Sequence, residues 1–261
     1  MRDYAKEFEN RVAFIRDLLK SSGAKGVIYG NSGGKDSALV GILCKAACDN
    51  TVGIMMPCAS KRNFGEDMTD GLAVAEQFNI ETRTVDLTAE KELVMQTVSA
   101  VTTLNQMATS NIAPRLRMLT LYTIGAAEGR LVAGTGNRSE AYMGYFTKWG
   151  DGAYDFNPIA DLTVTEIYEF LTWLHAPENI IRKAPSAGLF EGQTDEQEMG
   201  VTYAAIDKYI LTGEASEHDK AIISAARPRP ITLNDAVFRY PRALRQRKVQ
   251  RRPRRGAARR A

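Results

Sequence analysis

Residues 27–38 read Val-Ile-Tyr-Gly-Asn-Ser-Gly-Gly-Lys-Asp-Ser-Ala, an apolar strand that leads through a glycine-rich turn into a helix. This order brings several backbone N–H groups together at the helix N-terminus, where they bind phosphate well. The two adjacent glycines let the backbone approach an anion without an intervening Cβ. Ser32 and Ser37 add hydroxyl donors, and Asp36 is a carboxylate suited to a phosphate-bound cation. The stretch therefore predicts a phosphate site at the carboxyl end of a strand.

The loop differs from two widespread phosphate loops, Gly-x-x-x-x-Gly-Lys-Ser/Thr and Gly-x-Gly-x-x-Gly. Residues 32–37 match Ser-Gly-Gly-x-Asp-Ser instead, and they resemble the pyrophosphate loop of the N-type ATP pyrophosphatases. That resemblance implies cleavage of ATP between its α- and β-phosphates, with AMP transferred to a substrate oxygen. An ordinary glycine-rich turn between a strand and a helix is the alternative interpretation.

Predicted strands and helices alternate along the chain. Apolar residues at spacings of three and four predict helices, and short apolar or alternating runs predict strands. The predicted strands are 26–30, Thr51–Met56, Glu81–Leu87 and Leu131–Thr135, and the predicted helices are 4–19, 37–48, 66–78, Thr88–Met107 and Asn111–Glu128. This alternation predicts an α/β fold with a doubly wound parallel sheet and flanking helices. Its ligand is expected outside the carboxyl ends of the strands, where the 32–37 loop, the Met56-Pro57 turn and residues 135–140 all fall.

Composition is that of an ordinary globular protein. The 261 residues are 44% hydrophobic and 25% charged, enough for the core of one α/β domain. No apolar run reaches the roughly 18 residues of a membrane span, and the N-terminus lacks the apolar core of a signal peptide. We therefore expect a cytoplasmic protein without membrane association. The three cysteines lack metal-site spacing and are expected to be reduced thiols.

Charge is unevenly distributed. Residues 236–261 contain eleven Lys and Arg and no acid, so 23 basic residues remain against 31 acidic ones, a formal charge of −8 for residues 1–235. We expect a folded domain over residues 1–226 and a basic, disordered tail over residues 227–261. The tail is interpreted either as functionally idle, or as a segment that folds back on the acidic body or binds nucleic acid non-specifically.

Residues 134–161 form a second distinctive stretch, Gly-Thr-Gly-Asn-Arg-Ser-Glu-Ala-Tyr-Met-Gly-Tyr-Phe-Thr-Lys-Trp-Gly-Asp-Gly-Ala-Tyr-Asp-Phe-Asn-Pro-Ile-Ala-Asp. Together with the 32–37 loop, it closely resembles the ammonia-dependent NAD synthetases. Further matches are Asn111-x-x-x-Arg115-x-Arg117, Pro185-Ser186-Ala187-Gly188-Leu189 and Gln193-Thr194-Asp195-Glu196. The resemblance extends from residue 7 to residue 226 and implies a Rossmann-like fold of the adenine nucleotide alpha hydrolase type.

The resemblance implies that the chain amidates deamido-NAD to NAD. ATP would adenylate the nicotinate carboxylate and release pyrophosphate, after which ammonia would displace AMP. This chemistry is reasonable because a carboxylate is a poor electrophile until its oxygen becomes a leaving group, and a loop and cation neutralise the departing pyrophosphate. The resemblance also implies Mg²⁺, ATP as co-substrate and a homodimer. Because the matching region starts by residue 7 and leaves no room for an amidase domain before it, we expect free ammonia to be the nitrogen donor, unless a separate partner delivers it.

The resemblance assigns roles to individual positions. Asp36 and Glu140 would hold Mg²⁺ and Asp151 would help to hold ammonia, which makes these three the expected catalytic residues. The expected ATP contacts are Gly30, Asn31, Ser32, Gly33, Gly34, Lys35, Ser37, Met56, Arg117, Thr135 and Ser186. The expected deamido-NAD contacts are Asn111, Arg115, Tyr145, Lys148 and Asp155. Without the family resemblance, Arg115 and Arg117 are interpreted as solvated surface charges. Glu140 is then interpreted as a first-turn residue favoured by the helix dipole, and Asp151 as a turn residue.

Two departures from the family pattern keep alternatives open. Val164 stands where the family usually has a lysine that contacts ATP phosphates, so either Lys35 or Lys183 supplies the charge or turnover suffers. The family's His-Lys pair near the C-terminus is also absent, since no histidine follows His218. One alternative is a nucleotide-binding paralogue with weak catalysis. Another is a tRNA-modifying ATP pyrophosphatase, which fits the loop and the basic tail but lacks the usual cysteine pair or RNA-binding domain.

Overall fold

The structure is a computed structural model that describes residues 2–59, 61–183 and 195–226. In these ranges four strands alternate with helices. The strands are β1 (Gly26–Gly30), β2 (Thr51–Met55), β3 (Glu81–Thr84) and β4 (Arg130–Ala133). The helices are α1 (Tyr4–Ser22), α2 (Lys35–Ala47), α3 (Lys61–Phe64), α4 (Glu66–Gln77), α5 (Thr88–Ser99), α6 (Gln106–Ser110), α7 (Ile112–Glu128), α8 (Arg138–Met143), α9 (Val164–Trp173), α10 (Glu178–Arg182), α11 (Asp195–Met199), α12 (Tyr203–Thr212) and α13 (Glu217–Ala226).

The four described strands form one parallel sheet in the order β3-β2-β1-β4. At its centre, Ile28 of β1 is paired with Val52 of β2 and with Val132 of β4. The chain moves outward from β1 through β2 to β3 and then returns to place β4 on the other side of β1. The strand order therefore reverses between β1 and β4, and such a point is where open α/β sheets bind their ligands.

Tyr29 determines how closely α2 approaches the sheet. Its ring is 1% exposed and lies between glycines on α2 and on β2. A Cβ on Gly41 would come within 2.6 Å of Tyr29 Cζ, and a Cβ on Gly53 within 2.9 Å of the Tyr29 hydroxyl oxygen. Neither position tolerates a side chain without a shift of the ring, because real Cβ contacts are longer. Two glycines thus make room for one large aromatic side chain in the core.

Both faces of the sheet are covered by helices. On one face, Ile15 of α1, Leu39 of α2 and Phe170 of α9 share a core cluster with Tyr29. On the other face, Leu121 of α7 packs in a second cluster that includes Ile28, Val52 and Ile54. Helices on both faces of a parallel sheet make a doubly wound α/β fold, as the sequence predicts.

Two predicted elements are wrong in extent. The single helix predicted over Thr88–Met107 is instead α5, which ends at Ser99, followed by the separate α6. Asn105 begins this second helix, since its side chain accepts a hydrogen bond from Ala108 N–H at 2.8 Å. The strand predicted over Glu81–Leu87 ends at Thr84, although Val85 N–H and Leu87 N–H still donate to the backbone of residues 55 and 57.

A buried carboxylate connects three helices of the C-terminal half. Asp207 of α12 is 2% exposed and accepts from the Ser139 hydroxyl at 2.5 Å and from Thr165 N–H at 2.7 Å. Ser139 lies in the first turn of α8, and Thr165 lies in the first turn of α9. One carboxylate therefore holds the N-termini of α8 and α9. These bonds also satisfy the Asp207 carboxylate, which would be costly to bury without hydrogen-bond partners.

The chain divides into a compact unit over residues 1–228 and a second unit over residues 229–261. The second unit lies outside the described residues, so the tail assigned to residues 227–261 and the domain boundary at 226 stay predictions. Across the three described ranges, no helix combines the length and apolar character needed to cross a membrane.

Candidate active site

The loop after β1 adopts the conformation of an anion cradle. Gly33 has a φ of 69°, and a Cβ there would overlap the Asp67 carbonyl oxygen, so glycine is needed on both counts. Asn31 is 6% exposed and its amide donates to Gly71 O at 3.1 Å, which ties the loop to α4. Gly34 precedes α2 and provides no side-chain cap. The N-terminal N–H groups of this 13-residue helix are therefore available to an anion.

Two serine hydroxyls border the same loop. Ser32 Oγ donates to Ser37 Oγ at 3.1 Å, and Ser37 Oγ donates to Gly34 O at 3.0 Å. Ser37 Oγ also accepts from Ser32 N–H at 3.3 Å. These contacts hold the hydroxyls at the mouth of the loop, where hydroxyl groups can turn to donate to phosphate oxygens.

Asp36 on α2 and Glu140 on α8 come together beyond the carboxyl ends of the paired strands β1 and β4. Asn137 connects them, because its Nδ2 donates to Asp36 Oδ1 at 3.1 Å and its backbone N–H donates to Glu140 Oε2 at 3.0 Å. Asn137 is fully buried and caps α8 through a reciprocal pair of bonds with Glu140. Two hard carboxylate ligands thus face one place beside the phosphate loop.

The Glu140 carboxyl has a strongly shifted pKa. Its removal from water and the nearby Asp36 charge raise its pKa to about 8, against the lowering effect of Lys35. A divalent cation between the two carboxylates would relieve this repulsion and expel the proton. The charge arrangement therefore fits a cation site.

Arg117 reaches the same edge of the sheet from α7. Its Nε donates to Met56 O at 3.1 Å, and its Nη2 donates to Asn63 Oδ1 at 3.2 Å. Burial lowers the pKa of Arg117, although a guanidinium stays charged at neutral pH. Met56 is 7% exposed and follows β2, and Gly30 ends β1 beside it. Thr135 is half-buried in the segment after β4.

A second group of predicted residues joins the start of α7 to residues 147–151. Thr147 Oγ1 donates to Asn111 Oδ1 at 2.6 Å, and Arg115 Nε donates to Lys148 O at 3.2 Å. Asp151 Oδ1 accepts from Thr147 N–H at 2.9 Å, which is the geometry of a turn residue. Desolvation of the carboxyl raises the pKa of Asp151, although the residue as a whole is exposed. Through its bond with Thr147, Asp151 belongs to this second group.

The two remaining described residues of the predicted deamido-NAD set lie in separate local contacts. The Tyr145 hydroxyl donates to Glu198 Oε2 at 2.6 Å. Asp155 accepts from Val132 N–H at 2.8 Å and from the Tyr122 hydroxyl at 3.2 Å, so it holds β4 to the segment that follows. Ser186 lies outside the described residues.

Sequence reasoning missed two features of the site. The resemblance assigns no role to Asn137, although an asparagine three residues before a glutamate signals a capping box. Lys183 binds Asp67 Oδ1 at 2.8 Å, Asp70 Oδ2 at 2.6 Å and Gly33 O at 3.3 Å. No sequence spacing connects a lysine after α10 with two aspartates of α4, so this cluster becomes visible only in the fold.

Comparison with known proteins identifies the family. The sequence profile of the NAD synthase family matches residues 7–240. A protein of Carboxydothermus hydrogenoformans named NH(3)-dependent NAD(+) synthetase is 46% identical over 217 residues, which are 82% of this chain and 88% of that protein. The chain belongs to the NAD synthase family. The resemblance drawn from the 32–37 loop and from residues 134–161 is thereby confirmed.

Solved structures support the NAD synthase fold. The NMN synthetase of Francisella tularensis superposes with a TM-score of 0.81 at 34% identity, covering 90% of this chain and 100% of that one. The NH3-dependent NAD synthetase of Campylobacter jejuni, solved with a nitrate ion, gives a TM-score of 0.66 at 30% identity, covering 87% of this chain and 92% of that one. The predicted fold class is confirmed.

Replacement of Gly33 by alanine should destabilise the protein. The positive φ and the overlap with Asp67 O together cost about 1–3 kcal/mol of unfolding free energy. Gly34→Ala is the matched control, because a Cβ there meets only Ser32 Oγ at 3.4 Å and φ is −103°. Urea unfolding followed by circular dichroism measures both variants, and equal losses would contradict the assigned loop geometry.

Proposed function

We propose that this chain catalyses the ATP-dependent amidation of deamido-NAD to NAD with ammonia. The reaction would pass through an adenylated nicotinate and release AMP and pyrophosphate. The observation that carries the proposal is the loop at the β1–β4 reversal, where the uncapped N-terminus of α2 adjoins Asp36 and Glu140. Family membership supplies the substrate class. A cytoplasmic location, which the sequence predicts, is part of the same proposal.

The loop residues would bind and orient the pyrophosphate part of ATP. Backbone N–H groups at the start of α2 donate to anionic oxygens, and Ser32 and Ser37 add hydroxyl donors to the same place. These donors are fixed before the reaction, so they stabilise charge that develops on the leaving pyrophosphate without reorganising. Arg117 and Met56, across the edge of the sheet, would contact the remainder of ATP together with Gly30, Asn31, Thr135 and Ser186.

Asp36 and Glu140 would hold Mg²⁺. Within the described residues no three His, Cys, Asp or Glu side chains cluster as a metal site. Two carboxylates suffice for Mg²⁺, because this ion usually takes one or two protein carboxylates and completes its shell with phosphate oxygens and water. When bound, the ion would neutralise negative charge on the phosphate oxygens. The residues present fit it in number and in ligand type.

The second group of residues would bind deamido-NAD. Asn111 and Arg115 at the start of α7, and Lys148 opposite them, provide donors and positive charge for an anionic nicotinate nucleotide. Tyr145 and Asp155 would complete this subsite. Asp151 would hold ammonium and accept its proton before attack on the adenylated carboxyl carbon, and its raised pKa supports a role in proton transfer.

Product analysis tests the proposed reaction. Incubation with ATP, Mg²⁺, deamido-NAD and ammonium should yield NAD, AMP and pyrophosphate in equal amounts and no ADP. Stoichiometric ADP, or no NAD at saturating ammonium, would contradict the proposal. ATP consumption that requires tRNA would favour the tRNA-modifying alternative, and ATP binding without turnover would favour the paralogue.

A second candidate substrate is the deamidated mononucleotide. It is favoured by the structural similarity to the NMN synthetase of Francisella tularensis, with a TM-score of 0.81. Both candidates present the same nicotinate carboxylate to adenylation and differ by an AMP unit. The ratio of kcat/KM for the mononucleotide and for deamido-NAD, measured in the same assay, decides between them.

Metal affinity should depend on pH through Glu140. Because the folded protein holds this carboxyl protonated up to about pH 8, cation binding must release its proton. We therefore expect Mn²⁺, used as a spectroscopic probe, to bind about tenfold more tightly for each unit that pH rises between 6 and 8. Electron paramagnetic resonance measures the free ion. Glu140→Gln should abolish this dependence, and an unchanged pH profile in that variant would contradict the assignment.

The same pair predicts non-additive kinetics. Asp36→Asn and Glu140→Gln should each lower turnover by orders of magnitude, and the double variant should lose little more than either single variant. This result follows if both carboxylates serve one ion. Strictly additive losses would indicate separate roles.

We propose that the functional protein is a homodimer that pairs through α5, α6 and α7. In the described part of the chain α5 has no buried residue, and this face exposes Leu93 (63%), Met107 (74%) and Leu119 (58%). Large exposed apolar areas often mark interaction surfaces, so the exposure of these side chains supports the proposal. Leu93→Asp should convert a dimer to a monomer in light scattering, whereas Leu211→Asp on α12, where Leu211 is 54% exposed, should not. A monomeric, fully active wild-type protein would refute the proposal.

A further inference from the structure

Lys35 is a buried cation beside the phosphate loop. It is the first residue of α2, its side chain is 6% exposed, and its Nζ lies 2.8 Å from Asp36 Oδ2. The ammonium also lies over two aromatic rings, 5.9 Å from the centre of Tyr168 and 5.6 Å from the centre of Tyr203. A charge in such a place is costly unless it is compensated or used.

Lys183 is the other lysine next to this loop, but its donors are committed. The three N–H groups of its ammonium match three acceptors, Asp67 Oδ1, Asp70 Oδ2 and Gly33 O. Release of Lys183 would break its ion pairs with both carboxylates, including that with Asp70, which is 6% exposed. Lys183 therefore holds the loop against α4 and has no donor left for a ligand.

Lys35 differs in this respect. Among the described residues, Asp36 is the one hydrogen-bond acceptor of its ammonium, while ring faces provide the other contacts. Burial by itself lowers the pKa of Lys35, but the charge of Asp36 and its hydrogen bond to the ammonium oppose burial, and the pKa is raised. A fixed cation with donors to spare thus stands at the positive end of α2, where an anion is already favoured.

The position of this ammonium is connected with Val164. Val164 is 3% exposed at the start of α9 and shares a hydrophobic cluster with Tyr203. Tyr168 lies four residues further along α9, on the same helix face. The rings that contact the Lys35 ammonium are therefore neighbours of Val164. Valine fills the space with methyl groups, and the positive charge enters the same region from α2.

We propose that Lys35 binds the pyrophosphate part of ATP, and that it supplies from α2 the positive charge that Val164 cannot supply from α9. The ammonium that neutralises Asp36 in the free protein donates to phosphate oxygens when nucleotide is bound. This inference deepens the proposed function and rests on it for the identity of the nucleotide. The sequence offers either Lys35 or Lys183 as the source of this positive charge, and the proposal selects Lys35.

Binding of inorganic pyrophosphate tests the inference without any turnover. Isothermal titration of the full chain with pyrophosphate, in the absence of divalent metal, should show about tenfold to hundredfold weaker binding for Lys35→Gln, because one charged hydrogen bond is lost. Lys45→Gln is the control, since Lys45 lies at the other end of the same helix and pairs with Asp49. Unchanged affinity in folded Lys35→Gln would overturn the proposal. Pyrophosphate binding does not require amidation, so the result of this titration does not depend on whether the protein forms NAD.

A second measurement serves if Lys35→Gln does not fold. Nitrogen-15 spectra of lysine ammonium groups in the wild-type chain should show the Lys35 Nζ resonance shifting on addition of pyrophosphate, while the Lys183 resonance stays in place. The Lys35 signal is assigned by its loss in Lys35→Arg. A shift confined to lysines other than Lys35 would overturn the proposal.

Discussion

The close contact between Tyr29 and two glycines determines where α2 lies on the sheet. Because Gly41 and Gly53 leave room for the buried ring, the helix approaches β1 more closely than side chains at those positions would allow. This approach directs the N-terminus of α2 at the place where the strand order reverses. The positions of the 32–37 loop, of its serine hydroxyl groups and of Asp36 depend on that direction. A packing contact in the core thus sets the position of polar groups at the sheet edge.

Buried charge is concentrated around the loop. One group consists of Lys35, Asp36 and Glu140, and the other consists of Lys183 with its two aspartate partners on α4. Such groups are costly to desolvate, and apolar residues of similar volume often stabilise a fold as well or better. Their presence on both sides of one loop agrees with the rule that proteins give up local stability at functional sites. The first group faces the proposed ligand, and the second keeps the loop closed against α4.

Local patterns predicted much of the fold and part of the site. The 32–37 loop, the four strands and α7 were readable because glycine spacing, apolar runs and helical periodicity are local signals. The break between α5 and α6 was missed, since their exposed apolar residues continue a helical pattern that only the Asn105 cap interrupts. The elements from α8 onward were not assigned, and contacts such as Lys183 with Asp70 join residues 113 apart in sequence. Contacts of this range depend on topology, which no local pattern contains.

The capping box of α8 bears on which cation the proposed site would hold. Glu140 Oε2 accepts from Asn137 N–H, so bidentate binding of an ion by Glu140 would compete with that bond. Asp36 accepts from Asn137 Nδ2 on one oxygen and from Lys35 on the other, so bidentate binding by Asp36 would compete with both bonds. Calcium favours six to eight oxygen ligands and often a bidentate carboxylate, whereas magnesium accepts few protein oxygens and retains its waters. A helix cap would thereby favour the smaller, octahedral ion at the proposed site.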